Sequence, residues 1–272
     1  YQHDDNLDIA LGIARKVRSP NLYERYTWST WQMAAFMNNF DGDGNGYVGN
    51  LDLKPETAYT ISSTFDFHNE SREWEVKLTP FYTYVEDYID AVPVGAFIPN
   101  NFNVLQYKNQ SARLYGIDLS GEMSLGRNSW GDWKLSALVN YTNGENRDTG
   151  DNLYNIMPLN GKLTLNQVHK GWDNSLEWVV VDNKDDVNSV RNEIETAGYG
   201  LLNLRASHEW DAFTINFGVD NIFDRLYYLP TGGTYVAQGA TMTKNPMMNP
   251  PAWGTAVPGM GRSIYAGLRV NF

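Results

Sequence analysis

The feature that most constrains the fold is an alternation of apolar and small or polar residues with a period of two. Segments 7–13, 133–141, 213–219 and 264–272 place apolar side chains at every second position. Successive side chains of a strand point to opposite faces, so each segment predicts a strand with one apolar face and one polar face. No segment has the pattern of an amphipathic helix of useful length. The chain is therefore predicted to be all-β.

The connections between the predicted strands alternate between short and long. Short turns fall at about 68–72, 126–130, 169–172 and 210–211, and long connections at about 17–56, 89–102, 143–156, 183–198 and 221–261. This alternation is typical of an antiparallel up-and-down transmembrane β-barrel, with short periplasmic turns and long external loops. The ten predicted strands are 6–16, 57–68, 73–88, 103–125, 131–142, 157–168, 173–182, 199–209, 212–220 and 262–272.

Composition agrees with a membrane barrel. Aromatic residues make up 14% of the chain, with 17 Tyr and 9 Trp, as expected for interfacial girdles. No run approaches the roughly 18–20 apolar residues of a spanning helix. A wet interior would be lined by the polar residues that alternate with the apolar ones, namely Asn216, Asp220, Arg205, Asn203, Asp118, Glu122, Lys134 and Asn140. Ten strands could close alone or form an arc of a larger barrel.

Charge and residue usage exclude several classes of function. The net charge of -11 argues against a nucleic-acid partner, because phosphate binding needs a basic surface. The absence of cysteine excludes disulfides, thiolate metal sites and a cysteine nucleophile. G-x-S-x-G, H-E-x-x-H and phosphate-loop motifs are also missing, so an enzyme is not expected.

Four segments, in this order and spacing, resemble the C-terminal half of a TonB-dependent outer-membrane receptor. They are RSPNLYERY (18–26), GNLDLKPE (49–56), VDNIFDRLYY (219–228) and the final GRSIYAGLRVNF (261–272). The resemblance implies a barrel of about 22 strands in the bacterial outer membrane, with residues 1–272 holding the last ten strands. The plug domain and the first twelve strands would then be absent. It also implies as partners the TonB complex through the absent plug, outer-membrane lipid and lipopolysaccharide, and the barrel assembly machinery through Phe272.

Within this family, the methionine-rich segments 27–56 and 241–265 look most like the copper-receptor branch. Thioethers are soft ligands that favour Cu(I), so methionines at a barrel mouth could capture copper. Flexible packing of loops is the alternative reading. Met157 borders the third long loop, and Met123 falls at the opposite end. The candidate contacts are Met33, Met37, Met242, Met247, Met248 and Met260.

Segment 41–52 follows the spacing of a calcium loop, D-x-D-x-N-G, with a carboxylate at the twelfth position. The candidate ligands are Asp41, Asp43, Asn45, Asp52 and the backbone carbonyl of Tyr47. A tight turn rich in Gly, Asn and Asp is the alternative, because flanking helices are not expected. No cofactor is expected to be required, and copper and calcium are the candidate ions.

The positions of the histidines argue against some of the possible functions. His68, His169 and His208 all fall beside predicted short turns, and His3 is expected there too. An imidazole metal site is therefore not expected among the long loops. Uptake of copper, or of another metal or metal chelate, energised by TonB, is the leading prediction. The alternatives are a complete ten-stranded outer-membrane protease, which would need Asp and His at the outer strand ends, and a porin-like channel or adhesin.

Overall fold

The structure is a computed structural model, and it describes residues 2–234 and 254–270. Within these two ranges, thirteen strands and two short helices follow one another along the chain. Their bounds are β1 Gln2–Asp4, β2 Leu7–Arg18, α1 Leu22–Tyr26, β3 Trp28–Ser29, α2 Gln32–Asn38, β4 Gly46–Val48, β5 Glu56–His68, β6 Trp74–Pro93, β7 Val104–Asn128, β8 Gly131–Asn146, β9 Asn160–His169, β10 Trp172–Val181, β11 Tyr199–Glu209, β12 Phe213–Asp220 and β13 Ser263–Val270.

The strands form one sheet in which neighbours in the sheet are neighbours along the chain. The order is β1-β2-β5-β6-β7-β8-β9-β10-β11-β12-β13, and each pair on this path is antiparallel. Only β3 and β4 lie off the path, and β4 pairs in parallel with the outer end of β7. The predicted all-β, up-and-down class and all ten predicted strands are confirmed.

Three boundaries were predicted wrongly. β6 continues to Pro93 and β8 to Asn146, whereas β9 begins only at Asn160. The β6 extension pairs with β7 beyond a bulge between Val85 and Tyr88, and the β8 extension pairs with residues 112–115 of β7. At 20 and 25 residues, β6 and β7 exceed the roughly 9–11 residues that cross a bilayer. Outside the lipid their side chains pack against loops, so the alternating pattern that marks a strand is lost.

The first long connection contains regular structure that the sequence did not predict. α1 has a capping box, in which the Asn21 side chain accepts from the Glu24 amide at 2.8 Å and Glu24 accepts from the Asn21 amide at 2.7 Å. Asn39, which caps the C-terminal end of α2, has a left-handed conformation. The two helices have five and seven residues, and neither is long or apolar enough to cross a bilayer. Such short helices leave no clear 3.6-residue period.

The two faces of the sheet separate by side-chain chemistry, as the alternation predicts. Phe217 lies opposite Ala206 on one side and Ala266 on the other, so the apolar faces of β11, β12 and β13 coincide. The eight predicted lumen residues share the other face. Asn140 donates to Asp118 at 2.7 Å, and Lys134 lies 2.5 Å from Glu122.

Arg205 joins the polar side chains of three neighbouring strands on the lumen face. It bonds Glu177 at 3.1 Å, Asp220 at 3.0 Å and the hydroxyl of Tyr265 at 3.2 Å. Tyr265 passes directly over Gly218, where a Cβ would lie 2.5 Å from the phenol oxygen. A residue larger than glycine would displace that ring.

The packed core lies at the long-loop end. One cluster joins Tyr47 and Leu53 of the first connection to Leu105 and Tyr107 of β7 and to Ile89 of β6. A second cluster contains Val85, Ala112 and Leu153. The long loops therefore fold back and pack on the outer strand ends.

Within the described residues the sheet is not closed. β13 pairs only with β12, and beyond β2 there is only the three-residue strand β1. Ile13 of β2 is 88% exposed and Leu268 of β13 is 65% exposed. Unpaired edges are untenable in lipid, so this sheet needs further strands to complete it.

Candidate functional site

A buried arginine joins four separate segments of the chain at the long-loop end. Arg191, from the connection between β10 and β11, donates to Asp41 at 3.2 Å and to the Tyr47 hydroxyl at 3.1 Å. Its other nitrogens donate to Asp90 of β6 at 3.3 and 3.4 Å. The guanidinium carbon also lies 5.0 Å from the ring centroid of Tyr154. We call these five residues the Arg191 cluster.

Arg191 and Asp90 of the cluster are buried, and the charges of the cluster depend on one another. The Arg191 side chain is 9% exposed and that of Asp90 is 5% exposed. Burial disfavours the charged guanidinium, but Tyr47, Asp90 and Asp41 raise the pKa of Arg191 well above its ordinary value. Arg191 therefore stays charged, and removal of this cation would leave the buried carboxylate of Asp90 without its ion-pair partner.

The structure gathers four of the five predicted calcium-loop residues around this arginine. Asp41 also accepts from Tyr107 at 2.5 Å, and the amide of Asn45 donates to the carbonyl of Arg191 at 2.9 Å. Asp43 accepts from the Tyr47 hydroxyl and from the Asn45 backbone amide. Burial raises the pKa of Asp43.

The fifth residue of the calcium spacing, Asp52, lies on an exposed turn, and its amide donates to Asn50. One physical premise was wrong, because a helix does precede the loop: α2 ends three residues before Asp41. In the structure the guanidinium of Arg191 supplies the positive charge beside Asp41. Calcium binding stays a prediction, and an ion would have to compete with Arg191.

Sequence reasoning missed Arg191, Asp90 and Tyr154. Asp41 and Arg191 are 150 positions apart, and no local motif links them. A lone arginine in an acidic loop was the only available signal. Beside it, Lys184 and Glu193 form a second buried ion pair at 2.7 Å within the same connection.

The candidate methionines occupy several parts of the long-loop end. Met33 and Met37 lie on α2, the first half-buried and the second 80% exposed. Met260 is 71% exposed. Met242, Met247 and Met248 lie outside the described residues, as does Phe272. Copper contact by these side chains stays a prediction.

The base of the last long connection contacts the C-terminal end of α2. The Asn39 side chain donates to the carbonyl of Thr234 at 3.1 Å, and the Thr234 amide donates to the carbonyl of Gly42. Thr234 also forms a bridge with Ala256. Thr234 thus lies beside the C-terminal end of the helix that bears Met33 and Met37.

An ion pair joins segment 18–26 to segment 49–56. Arg18 of the first segment bonds Glu56 of the second at 2.5 Å and Glu24 at 2.9 Å. Glu56 also accepts from the amide of Ile89 at 2.7 Å. Gly49 passes so close to α1 that a Cβ would lie 2.4 Å from the carbonyl oxygen of Arg25. These residues hold the first connection against the sheet.

A third segment fixes the entry to the last strand. Asn221 has a φ of 51°, and its side chain bonds both the amide and the carbonyl of Arg225 at 2.9 Å. Asp224 accepts from the Arg262 amide at 2.8 Å, directly before β13. Segments 18–26, 49–56 and 219–228, which suggested the family, therefore form stabilising contacts at the long-loop end.

The histidines lie beside the short turns, as predicted for His68, His169 and His208. His68 lies 3.3 Å from Asp8 on the lumen face. His208 packs between Trp172 and Trp210, at ring distances of 4.7 and 3.9 Å. They are remote in the fold from the long loops, which counts against the protease alternative.

Among residues 2–234 and 254–270, no group of three or more His, Asp or Glu side chains is arranged to hold a metal ion. The charged groups of the Arg191 cluster are already paired with one another. At the long-loop end, the described connections pack on the outer strand ends, beside the polar lumen face.

Comparison with known proteins agrees with this interpretation. The family described as TonB dependent receptor-like, beta-barrel matches residues 1–222. Heme/hemopexin utilization protein C of Haemophilus influenzae strain 86-028NP is 28% identical over 255 residues, covering 81% of this chain and 32% of that protein. The same protein of strain Rd is 26% identical over 262 residues, covering 81% of this chain and 33% of that protein. The chain spans about a third of the length of these curated relatives.

Solved structures show the same fold. Copper transporter OprC superposes with a TM-score of 0.73 at 19% identity, over 98% of this chain and 38% of that one. The siderophore receptor PirA from Acinetobacter baumannii superposes with a TM-score of 0.69 at 18% identity, over all of this chain and 40% of that one. The family comprises receptors and transporters, which confirms the expectation that the chain is not an enzyme. The chain thus belongs to the TonB-dependent receptor-like β-barrel family of the bacterial outer membrane.

Proposed function

We propose that the protein to which this chain belongs takes up a metal ion or metal chelate across the outer membrane, with copper as the leading candidate. TonB, acting through the plug of the whole protein, supplies the energy. The observation that carries the proposal is the family match over residues 1–222, which includes four long connections at one end of the sheet. In this proposal the chain contributes part of the barrel wall, part of the lumen surface and several external loops.

Exposed thioethers at the long-loop end support copper. Met37 and Met260 are largely exposed and thus accessible to a ligand from outside. The contact between Asn39 and Thr234 joins the helix that bears Met33 to the base of the connection that contains three more candidate methionines. Soft thioether ligands select Cu(I) over hard cations. The acidic loops would also attract cations, an effect that salt screens over about 10 Å.

Haem or an iron chelate is the second candidate. The curated relatives are named for heme/hemopexin utilization, and siderophore receptors share the fold. All four histidines of this chain belong to β1 or to the strand ends beside short turns. A haem iron captured by these long loops would therefore take Tyr or Met, rather than imidazole, as its ligand from this chain.

Uptake of radioactive copper by cells that express the full-length protein, in a background without other copper receptors, tests the leading proposal. We expect uptake to require TonB. Changing Met33, Met37 and Met260 together to Leu should reduce uptake by about tenfold at limiting copper, as the loss of one soft ligand implies. Met123→Leu, at the opposite end of the sheet, is the matched control.

Growth on haem as the sole iron source provides the competing measurement. The copper proposal fails if the triple variant takes up copper normally, or if deletion of TonB leaves uptake unchanged. Haem becomes the better proposal if the wild-type protein supports growth on haem and takes up no copper.

We also propose contacts with the surroundings of the barrel. Outer-membrane lipid and lipopolysaccharide would surround the apolar face, and the barrel assembly machinery would contact Phe272 at the chain end. A calcium ion at Asp41 and Asp43 would be detected as a calcium-dependent rise in melting temperature that Asp41→Asn removes.

A further inference from the structure

Four adjacent strands carry a row of cationic and aromatic side chains near the long-loop end. Arg15 of β2 lies opposite Tyr59 of β5. Tyr59 lies opposite Tyr84 of β6, which in turn lies opposite Arg113 of β7. Two arginines thus flank two tyrosines, and we call these four residues the arginine-tyrosine row. Three strand spacings separate its two ends, a distance of about 14 Å along the sheet.

The arginine-tyrosine row marks the outer limit of the apolar, lipid-facing side of the sheet. Alternate residues of a strand share a face, so this row shares its face with Leu119 of β7 and with Val139, which lies opposite Leu119. The next row toward the short turns is largely apolar and consists of Ile13, Ile61, Tyr82 and Tyr115. The next pair toward the long loops is Thr57 and Glu86. This change from apolar to polar side chains places the arginine-tyrosine row at the depth of the lipid head groups.

Both guanidinium groups of the row are open to an anion from the membrane side. Arg15 is exposed, and its guanidinium carbon lies 5.9 Å from the ring centroid of Tyr59. Among the described residues, Arg15 forms no ion pair. Arg113 donates to Glu145 at 2.5 Å, and its side chain remains 34% exposed. Because an arginine has five N–H donors, one carboxylate leaves donors of Arg113 for a second anion.

The two tyrosines present flat rings between these cations. Tyr59 is 41% exposed and Tyr84 is 38% exposed. The Tyr59 hydroxyl donates to Glu86 at 3.4 Å, so this nearby carboxylate already has a partner. Aromatic rings combine a large apolar face with a polar edge, which suits them to an interface between hydrocarbon and water. The C–H face of a sugar ring packs well on such a surface.

We propose that the arginine-tyrosine row binds the lipid A head group of one lipopolysaccharide molecule. This head group is a disaccharide with a phosphate at each end. Its sequence of anion, two rings and anion matches the sequence of cation, two rings and cation across the strands. Hydrogen bonds from arginine to phosphate are charge-assisted and strong. The acyl chains would then lie along the apolar row beneath, and the site is independent of the ligand that the receptor transports.

Native mass spectrometry of the delipidated full-length receptor tests the proposal. The probes are a deep-rough lipopolysaccharide, the same molecule after enzymatic removal of its phosphates, and dimyristoyl phosphatidylglycerol as an anionic phospholipid. We expect one lipopolysaccharide to be retained at activation energies that strip phosphatidylglycerol. Removal of the phosphates should weaken this retention by at least ~5-fold, because it removes the partners of both arginines.

Arg15→Gln removes one cation without breaking an ion pair among the described residues, and it should lower retention of lipopolysaccharide by ~5-fold or more. The double variant with Arg113→Gln should lower it further. Arg127→Gln is the matched control, because Arg127 is also exposed but lies beside a short turn at the opposite end of the sheet. It should leave retention unchanged. Heat-modifiable migration on gels identifies folded variants.

Three outcomes would overturn the proposal. The first is equal retention of lipopolysaccharide and phosphatidylglycerol by the wild-type receptor, which would indicate an ordinary interfacial belt. The second is equal retention of the phosphorylated and dephosphorylated molecules. The third is a loss of lipopolysaccharide with Arg127→Gln as large as the loss with Arg15→Gln, or no loss with either variant.

Discussion

Two arginines of this molecule have nearly identical partners in different surroundings. Arg191 at the long-loop end and Arg205 on the lumen face each bond two carboxylates and one tyrosine hydroxyl. The Arg191 side chain is 9% exposed, whereas that of Arg205 is 42% exposed. Water can replace the lost partners of an exposed ion pair but not those of a buried one. The hydrogen-bond partners of an arginine therefore do not show by themselves whether it stabilises the fold, as expected for Arg191, or lines a solvated surface, as expected for Arg205.

The largest expected effect is that of Arg191→Met. It leaves the buried Asp90 carboxylate without its cation, and loss of one partner of a buried pair costs about 3–5 kcal/mol. We expect amides of the connection 182–198 to lose protection in hydrogen exchange on the full-length protein. Unchanged protection there would show that the surroundings of the two arginines do not matter.

Gly49→Ala tests whether the long-loop end is packed more tightly than the wall of the sheet. The added methyl group would meet the backbone of Arg25 at 2.4 Å, and backbone cannot give way as a flexible side chain can. We expect the first connection to be destabilised by about 1–3 kcal/mol, as for an overpacked core. Gly267→Ala, in the wall, meets nothing within 4 Å and serves as the control for denaturant unfolding. A similar loss for both variants would contradict this expectation.

Asp43→Asn tests whether the long-loop end responds to pH as a dry site should. Burial raises the pKa of Asp43, so the folded state holds its proton at a pH where the unfolded state has lost it. Stability should therefore fall as pH rises from the ordinary aspartate pKa to the raised value, by up to about 1.4 kcal/mol per pH unit. The difference in unfolding free energy between wild type and variant should follow this slope. A flat difference would mean that Asp43 is hydrated.

The smallest effect is expected for Arg205→Met. The ion pairs with Glu177 and Asp220 are open to water, and exposed pairs contribute about 0–1 kcal/mol. The melting temperature of the full-length protein should fall much less for Arg205→Met than for Arg191→Met. Similar decreases in melting temperature for the two variants would indicate that the ion pairs of Arg205 are shielded from water.

The wall could be predicted from the sequence because lipid and water impose a local rule on every strand. Every second residue of segment 213–219 must be apolar, and that requirement needs no knowledge of the neighbouring strand. The same rule sorted Asn140 and Lys134 onto the lumen face correctly.

The long-loop end follows no such local rule. Arg191 has partners 101 and 150 positions away, and only the folded topology brings them together. The calcium spacing at Asp41 and Asp43 depends only on local sequence, whereas the cation that pairs with Asp41 in the structure comes from another loop. Glu56 was quoted as part of a motif, and its contact with Arg18 became visible only in the structure.

The convergence of distant segments on Arg191 has an immunological consequence. A binder that grips this end of the receptor would recognise a discontinuous epitope, assembled from stretches that lie far apart in the chain. Linear peptides that copy a single loop would compete poorly with the intact surface for such an antibody. A vaccine immunogen aimed at this surface should therefore present the loops together on their shared strands.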